Sequence, residues 1–144
     1  MKCFWLLVTM FLLTFPLRAN EPGKKSDLER LQGTWVVKAM EFDGRAFTED
    51  MIKDRYIVFK DSTFSAVVGG VRRKTLTFKI EPARSPRQID ITDPDRQETA
   101  YGIYELAEDT LKLCYGEPGA DRPKTFASPP GDRLFLITLK RHKP

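Results

Sequence analysis

The chain has 144 residues, 24 Lys and Arg against 20 Asp and Glu, a formal net charge of +4, 41% hydrophobic residues and two cysteines. That length fits one domain able to bury its own core. Acids and bases are interleaved and Arg72-Arg73-Lys74 is the one tight basic cluster, which excludes the concentrated basic face with stacking aromatics that a nucleic-acid binder uses.

Residues 1–19 read as a secretory signal peptide. Lys2 precedes an apolar run from Cys3 to Leu17, which ends in Arg18-Ala19, the layout of an export signal. The run falls short of the roughly 18 to 20 residues that span hydrocarbon, and Thr9, Thr14 and Pro16 interrupt it. The expected mature chain begins near Asn20 or Glu21, has no membrane span, and works outside the cytoplasm, either in the periplasm or secreted. Cys3 opens the apolar run, whereas a lipid-anchored cysteine would follow it. With the signal removed Lys2 and Arg18 are lost, leaving a charge of +2, and Cys114 is the only thiol. No intrachain disulfide can then form, and the simplest reading of Cys114 is a small hydrophobe packed in a strand.

Residues 20–27 include Pro22, Gly23, Lys24 and Lys25 and read as a flexible leader, with the domain spanning 28–141. Ser26 or Asp27 offers a cap for a short helical turn through Leu28 and Leu31. From Trp35 onward the pattern is mainly period two and predicts eight strands: Trp35 to Phe42, Tyr56 to Lys60, Thr63 to Val68, Arg72 to Ile80, Gln88 to Thr92, Ala100 to Leu106, Thr110 to Tyr115 and Arg133 to Lys140. Turn residues separate them at Asp43-Gly44, Asp61-Ser62, Gly69-Gly70, Pro82 to Pro86, Asp93-Pro94-Asp95 and Ala107-Glu108-Asp109, with a longer span from Gly116 to Asp132. One short helix, Thr48 to Lys53, lies between the first two strands, where Thr48 can cap it and Glu49 and Asp50 suit its positive end.

The alternation also assigns faces. Trp35, Val37 and Ala39 are expected inward, as are Leu76, Phe78, Ile80, Ile89, Ile91, Leu111, Leu113, Phe135, Ile137 and Leu139. The predicted fold is all-β, an eight-stranded antiparallel up-and-down β-barrel. An eight-stranded barrel is either filled by side chains or lines one small ligand.

Leu31-Gln32-Gly33-Thr34-Trp35 near the start and Leu139-Lys140-Arg141 near the end resemble the lipocalin and wider calycin pattern. Three further blocks follow in order: Gly102-Ile103-Tyr104-Glu105-Leu106, Asp109-Thr110-Leu111-Lys112-Leu113-Cys114, and Arg122-Pro123-Lys124-Thr125-Phe126. From about Leu28 to Arg141 the chain resembles an uncharacterised lipocalin-like domain family common in Planctomycetes. The resemblance implies a structural signature of Gly33, Trp35 and Arg141, in which Trp35 packs inside the closed end and Arg141 lies across its ring. Such a cation over an indole face contributes about 0.5 to 2 kcal/mol; Lys140 is the competing cation. The resemblance implies a fold and a compartment but no ligand, and carriage or sensing of a small apolar molecule follows from fold analogy alone. A short chain without cysteine pairs departs from ligand-carrying lipocalins and argues against a roomy cavity.

No catalytic set is assembled by spacing. His142, the single histidine, lies beyond the last strand, where nothing is expected to hold it within reach of a reacting group. Asp90, Asp93, Asp95 and Glu98 lack the register of a calcium loop, so neither a metal nor a cofactor is implied. Arg122, in the longest loop, could hold a carboxylate head bidentately or fix the loop by bonding carbonyls. The functional expectation is a non-catalytic module that binds a small apolar or amphipathic ligand, lined by Phe59, Leu76, Phe78, Tyr104 and Phe135 with Arg122 at the polar head. That reading expects a cavity of roughly 300 Å³ or more. The alternative is a filled barrel whose surface contacts another extracytoplasmic protein or the cell envelope.

Overall fold

The computed structural model describes residues 23–144; the expected signal peptide lies outside the described residues. The chain order is α1 Asp27–Leu31, β1 Gly33–Phe42, β2 Arg45–Ala46, α2 Glu49–Ile52, β3 Arg55–Lys60, β4 Thr63–Val68, β5 Val71–Glu81, β6 Arg87–Asp93, β7 Glu98–Leu106, β8 Thr110–Tyr115 and β9 Phe135–Arg141. Each long strand pairs antiparallel with the next, and β1 pairs with β9. The result is a closed eight-stranded up-and-down barrel of lipocalin-like type. The two-residue β2 is an extra strand, paired only with Glu41 and Phe42 of β1.

Local chemistry sets the ends of these elements. Ser26 caps α1 through a reciprocal pair, its hydroxyl accepting from the Glu29 amide at 3.3 Å while the Glu29 carboxylate accepts from the Ser26 amide at 2.7 Å. This helix begins at Asp27, one residue before the boundary expected for the domain, and Leu31 is its buried residue. Asp43 and Gly44 both adopt positive φ, 51° and 78°, the primed turn that matches the twist of a two-residue hairpin. A side chain at Gly44 would also strike Pro130, whose Cγ would lie 2.5 Å from a Cβ.

The core fills the barrel with Leu31, Trp35, Phe59, Phe78, Ile89, Tyr104, Leu111, Leu113 and Leu139, all nearly inaccessible. Phe59 meets Phe64 and Phe78 edge-on, at centroid distances of 5.3 and 5.1 Å, a favoured aromatic geometry. One expected inward residue is wrong: Ala39 is exposed. Val37 pairs with Leu139 but Ala39 pairs with Thr138, so Lys38 is an extra residue on β1. A bulge of one residue reverses the alternation, and Met40 turns toward the core instead. The last strand also starts later than expected, at Phe135, because Arg133 has a φ of 50° that a strand does not accommodate.

Residues 116–134, between β8 and β9, form an outer layer. Ile103 and Cys114 pair with each other across β7 and β8 and alternate with the inward Tyr104 and Leu113, yet both are buried. The Cys114 thiol donates to the Ala127 carbonyl at 3.4 Å, and burial pushes its pKa up. The loop therefore lies against the outside of the sheet rather than across the end of the barrel.

Candidate functional site

The two ends of the barrel are built differently. At the end closed by α1, the Trp35 indole donates from Nε1 to the Leu31 carbonyl at 2.8 Å. The Arg141 guanidinium lies over its face, with Cζ 4.3 Å from the ring. Arg141 also donates to the carbonyls of Gln32 at 3.2 Å and Arg30 at 2.6 Å, and Asp109 lies 3.7 Å from its Nε. Gly33, at φ 112°, is in the left-handed half of the map that a side chain disfavours. Lys140 is exposed and takes no part. Nearby, Tyr104 donates its buried hydroxyl to Asp27 at 2.7 Å, and Asp27 also faces Arg87 at 3.3 Å and Arg30 at 3.5 Å. Burial first, then the bond to Asp27, raises the Tyr104 pKa well above that of a free phenol.

At the other end, where β6 turns into β7, the interior opens as a cleft of about 230 Å³. Phe64, Leu76, Ile91, Ala100, Tyr115 and Phe135 line it, with Asp93, Arg96, Glu98 and Glu117 around it. Tyr115 stacks on Phe135 at 5.3 Å, and Phe135 in turn lies against Phe42 at 4.3 Å. The Tyr115 hydroxyl makes no hydrogen bond among the described residues, and burial pushes its pKa up to about 12. This cleft falls short of the expected 300 Å³, because the aromatic cluster around Phe59 already fills the barrel below it.

The six expected ligand contacts do not share one site. Leu76 and Phe135 line the cleft. Phe59 and Phe78 belong to the filled core, and Tyr104 is bound to the closed end. Arg122 lies outside the barrel. It donates to the carbonyls of Ile89 at 3.2 Å and Gly102 at 2.8 Å and to Asp90 at 2.7 Å, with Cζ 5.0 Å from the Tyr101 ring. It ties the loop to the sheet through strand carbonyls instead of carbonyls of the loop itself. The cleft residues not expected at a ligand are Phe64, Ile91, Ala100, Tyr115 and Arg96, with Glu98 weighed only as part of an acidic patch; the inward phase of Leu76, extended across its β4 partner Phe64, would have found the first.

The remaining polar candidates have local partners. Asp93 accepts from the amides of Asp95 and Arg96 and from Lys74 at 2.7 Å, which makes the acidic patch a braced turn; the bond from Lys74 holds the Asp93 carboxyl below its ordinary pKa. His142 is exposed; its ring lies edge-on to Tyr56 at 5.7 Å and its backbone amide donates to the Thr34 carbonyl at 2.9 Å, while its ring nitrogens make no hydrogen bond among the described residues. Among the described residues no group of three His, Cys, Asp or Glu side chains is placed to hold a metal ion. A second groove, about 370 Å³, runs along the outside between α2 and the long loop, where Ala39, Phe47, Phe126 and Leu136 lie among Lys38, Glu41, Glu49 and Lys112. The sequence matches no protein-family model, no curated protein and no solved structure.

Proposed function

We propose that this protein is an exported, non-catalytic binding module of the lipocalin-like family it resembles, and that it holds a small apolar or amphipathic molecule in the open end of its barrel. The observation that carries the reading is the cleft of about 230 Å³, walled by Phe64, Leu76, Ile91, Ala100, Tyr115 and Phe135. Sites for drug-sized molecules are roughly 300 to 1,000 Å³, so the ligand is smaller than those. An apolar cavity of about 150 Å³ accepts benzene, which makes one ring or a short branched chain the fitting size. The Tyr115 hydroxyl supplies a polar contact that no group among the described residues uses.

Indole, a neutral ring with one donor, tests this. Titrated into the isotope-labelled protein, it is expected to give saturable NMR shifts at Ala100, Tyr115 and Phe135. Ala100→Leu, which fills the cleft, is expected to remove them. Shifts confined to Ala39, Phe126 and Leu136 would overturn the reading and favour the second one, a filled barrel that meets another protein along its outer groove. That groove, at about 370 Å³, is larger than the cleft and mixes Phe47, Phe126 and Leu136 with charged side chains.

A further inference from the structure

The charges around the open end cancel unevenly. Lys74 holds both Asp93 at 2.7 Å and Asp95 at 3.1 Å, and Arg133 holds Glu117 at 2.7 Å. Arg96 and Glu98 line the same cleft and make no ion pair among the described residues. One positive and one negative side chain are therefore left without partners beside an apolar wall. The turn that carries them is firmly set. The Asp93 carboxylate accepts from the Asp95 amide at 3.0 Å and the Arg96 amide at 3.3 Å, and the hydroxyls of Thr92 and Thr99 bond across the strands at 2.9 Å. Glu98 shares the strand phase of the inward Ala100, so its side chain belongs to the cleft side of β7.

Resting on the cleft reading above, we infer that the ligand is a zwitterion of amino-acid size, with its carboxylate at Arg96, its ammonium at Glu98 and its apolar side chain in the cleft. The argument is by charge matching. A bare carboxylate would meet Arg96 but also face the like charge of Glu98. A bare amine would meet Glu98 and face Arg96. A neutral molecule leaves both in water, which costs nothing but contributes nothing. Only a ligand with both signs close together satisfies both side chains, and a guanidinium suits the planar carboxylate in particular. The apolar part must be small, since the cleft holds about 230 Å³.

The test compares three probes that share one ring: phenylalanine, 3-phenylpropionate and phenethylamine. Calorimetric titration of the whole protein at neutral pH is expected to rank phenylalanine tightest, by about fivefold over each singly charged probe, the size of one exposed charge contact. Arg96→Ala is expected to weaken phenylalanine about fivefold and leave phenethylamine no weaker; Glu98→Gln is expected to do the same with 3-phenylpropionate as the spared probe. Both positions are exposed, so the variants keep the fold, and circular dichroism checks it. Equal affinity for the three probes, or phenylalanine binding indifferent to both substitutions, overturns the zwitterion while indole binding leaves the cleft standing. Failure of indole as well as phenylalanine takes down both.

Discussion

The closed end and the open end of the barrel use the same materials, an aromatic ring beside charged side chains, to opposite effect. At the closed end each functional group ends on another group of the chain: the indole on Leu31, the guanidinium of Arg141 on Gln32, Arg30 and the Trp35 face, the Tyr104 hydroxyl on Asp27. At the open end the Tyr115 hydroxyl and the side chains of Arg96 and Glu98 end on nothing among the described residues, above an apolar floor. A buried donor without a partner costs free energy, so the closed end is self-sufficient and its groups serve the fold. Groups left unpaired at the edge of a concavity can be satisfied by something that arrives from solution.

The comparison predicts its largest effect at Arg141. Arg141→Ala removes a cation over the indole and two charge-assisted bonds to carbonyls, and it leaves those carbonyls short of donors. A loss of about 2 to 4 kcal/mol is expected, which for a domain of this size lowers the melting temperature by on the order of 10 °C. Arg141→Lys should recover only part, because an ammonium lacks the fork that reaches both carbonyls while covering the ring. Thermal denaturation followed by circular dichroism measures both. An unchanged melting temperature in Arg141→Ala would mean that pairing of β1 with β9 closes the barrel unaided. Arg96→Ala, at the open end, should leave the melting temperature where it is.

Arg122 sharpens the contrast, because it repeats the design of Arg141 on the outer wall: two carbonyls, one carboxylate and one ring. Here the clamp holds a loop, not the barrel, so its loss should be local. The reporter is already in place, since Cys114 is buried beneath that loop. Removing bonds worth about 1.5 to 3 kcal/mol to a charged donor should speed labelling of Cys114 by a thiol reagent about 10- to 100-fold, through local opening. Global melting should shift less than in Arg141→Ala. Labelling as slow as in the parent protein would assign the loop's hold to Asp43, whose carboxylate accepts from the amides of Gly131 at 2.7 Å and Arg133 at 3.2 Å.

How far the sequence carries is visible in the same places. Period-two alternation with turn residues between the runs was enough for eight strands, since each strand has one face on the core and each turn has a residue that tolerates it. The relation of Trp35 to Arg141 was legible from the resemblance because they lie on the two strands that must pair if the barrel closes. What could not be read was anything that depends on a single inserted residue or on depth. The bulge at Lys38 turned Ala39 outward, and no composition signal marks it. Phe59 and Leu76 look alike as inward residues, yet one sits in the filled half and the other on the cleft. Arg122 was visible as a loop arginine, but the groups on the sheet face that receive it, Ile89, Asp90, Tyr101 and Gly102, lie 20 to 33 residues before it in the chain.

The smallest effect separates the two ends by pH. Tyr115 at the open end is pushed up to about 12 by burial, and Tyr104 at the closed end is raised by burial and by its bond to Asp27. In the unfolded chain both phenols lose their protons near the ordinary value of about 10. Above that pH the folded protein holds more protons than the unfolded one, so stability is fully present below about pH 10 and declines as pH rises. Each phenol contributes a slope of at most about 1.4 kcal/mol per pH unit. Tyr115→Phe should flatten the alkaline decline while leaving neutral stability nearly unchanged, because its hydroxyl has no partner to lose. Tyr104→Phe should flatten it too, but at a cost at neutral pH, since Asp27 loses a donor. Melting temperatures from pH 8 to 11 decide the matter: if the two variants behave alike at neutral pH, the Tyr115 hydroxyl has a partner within the fold and is not waiting for a ligand.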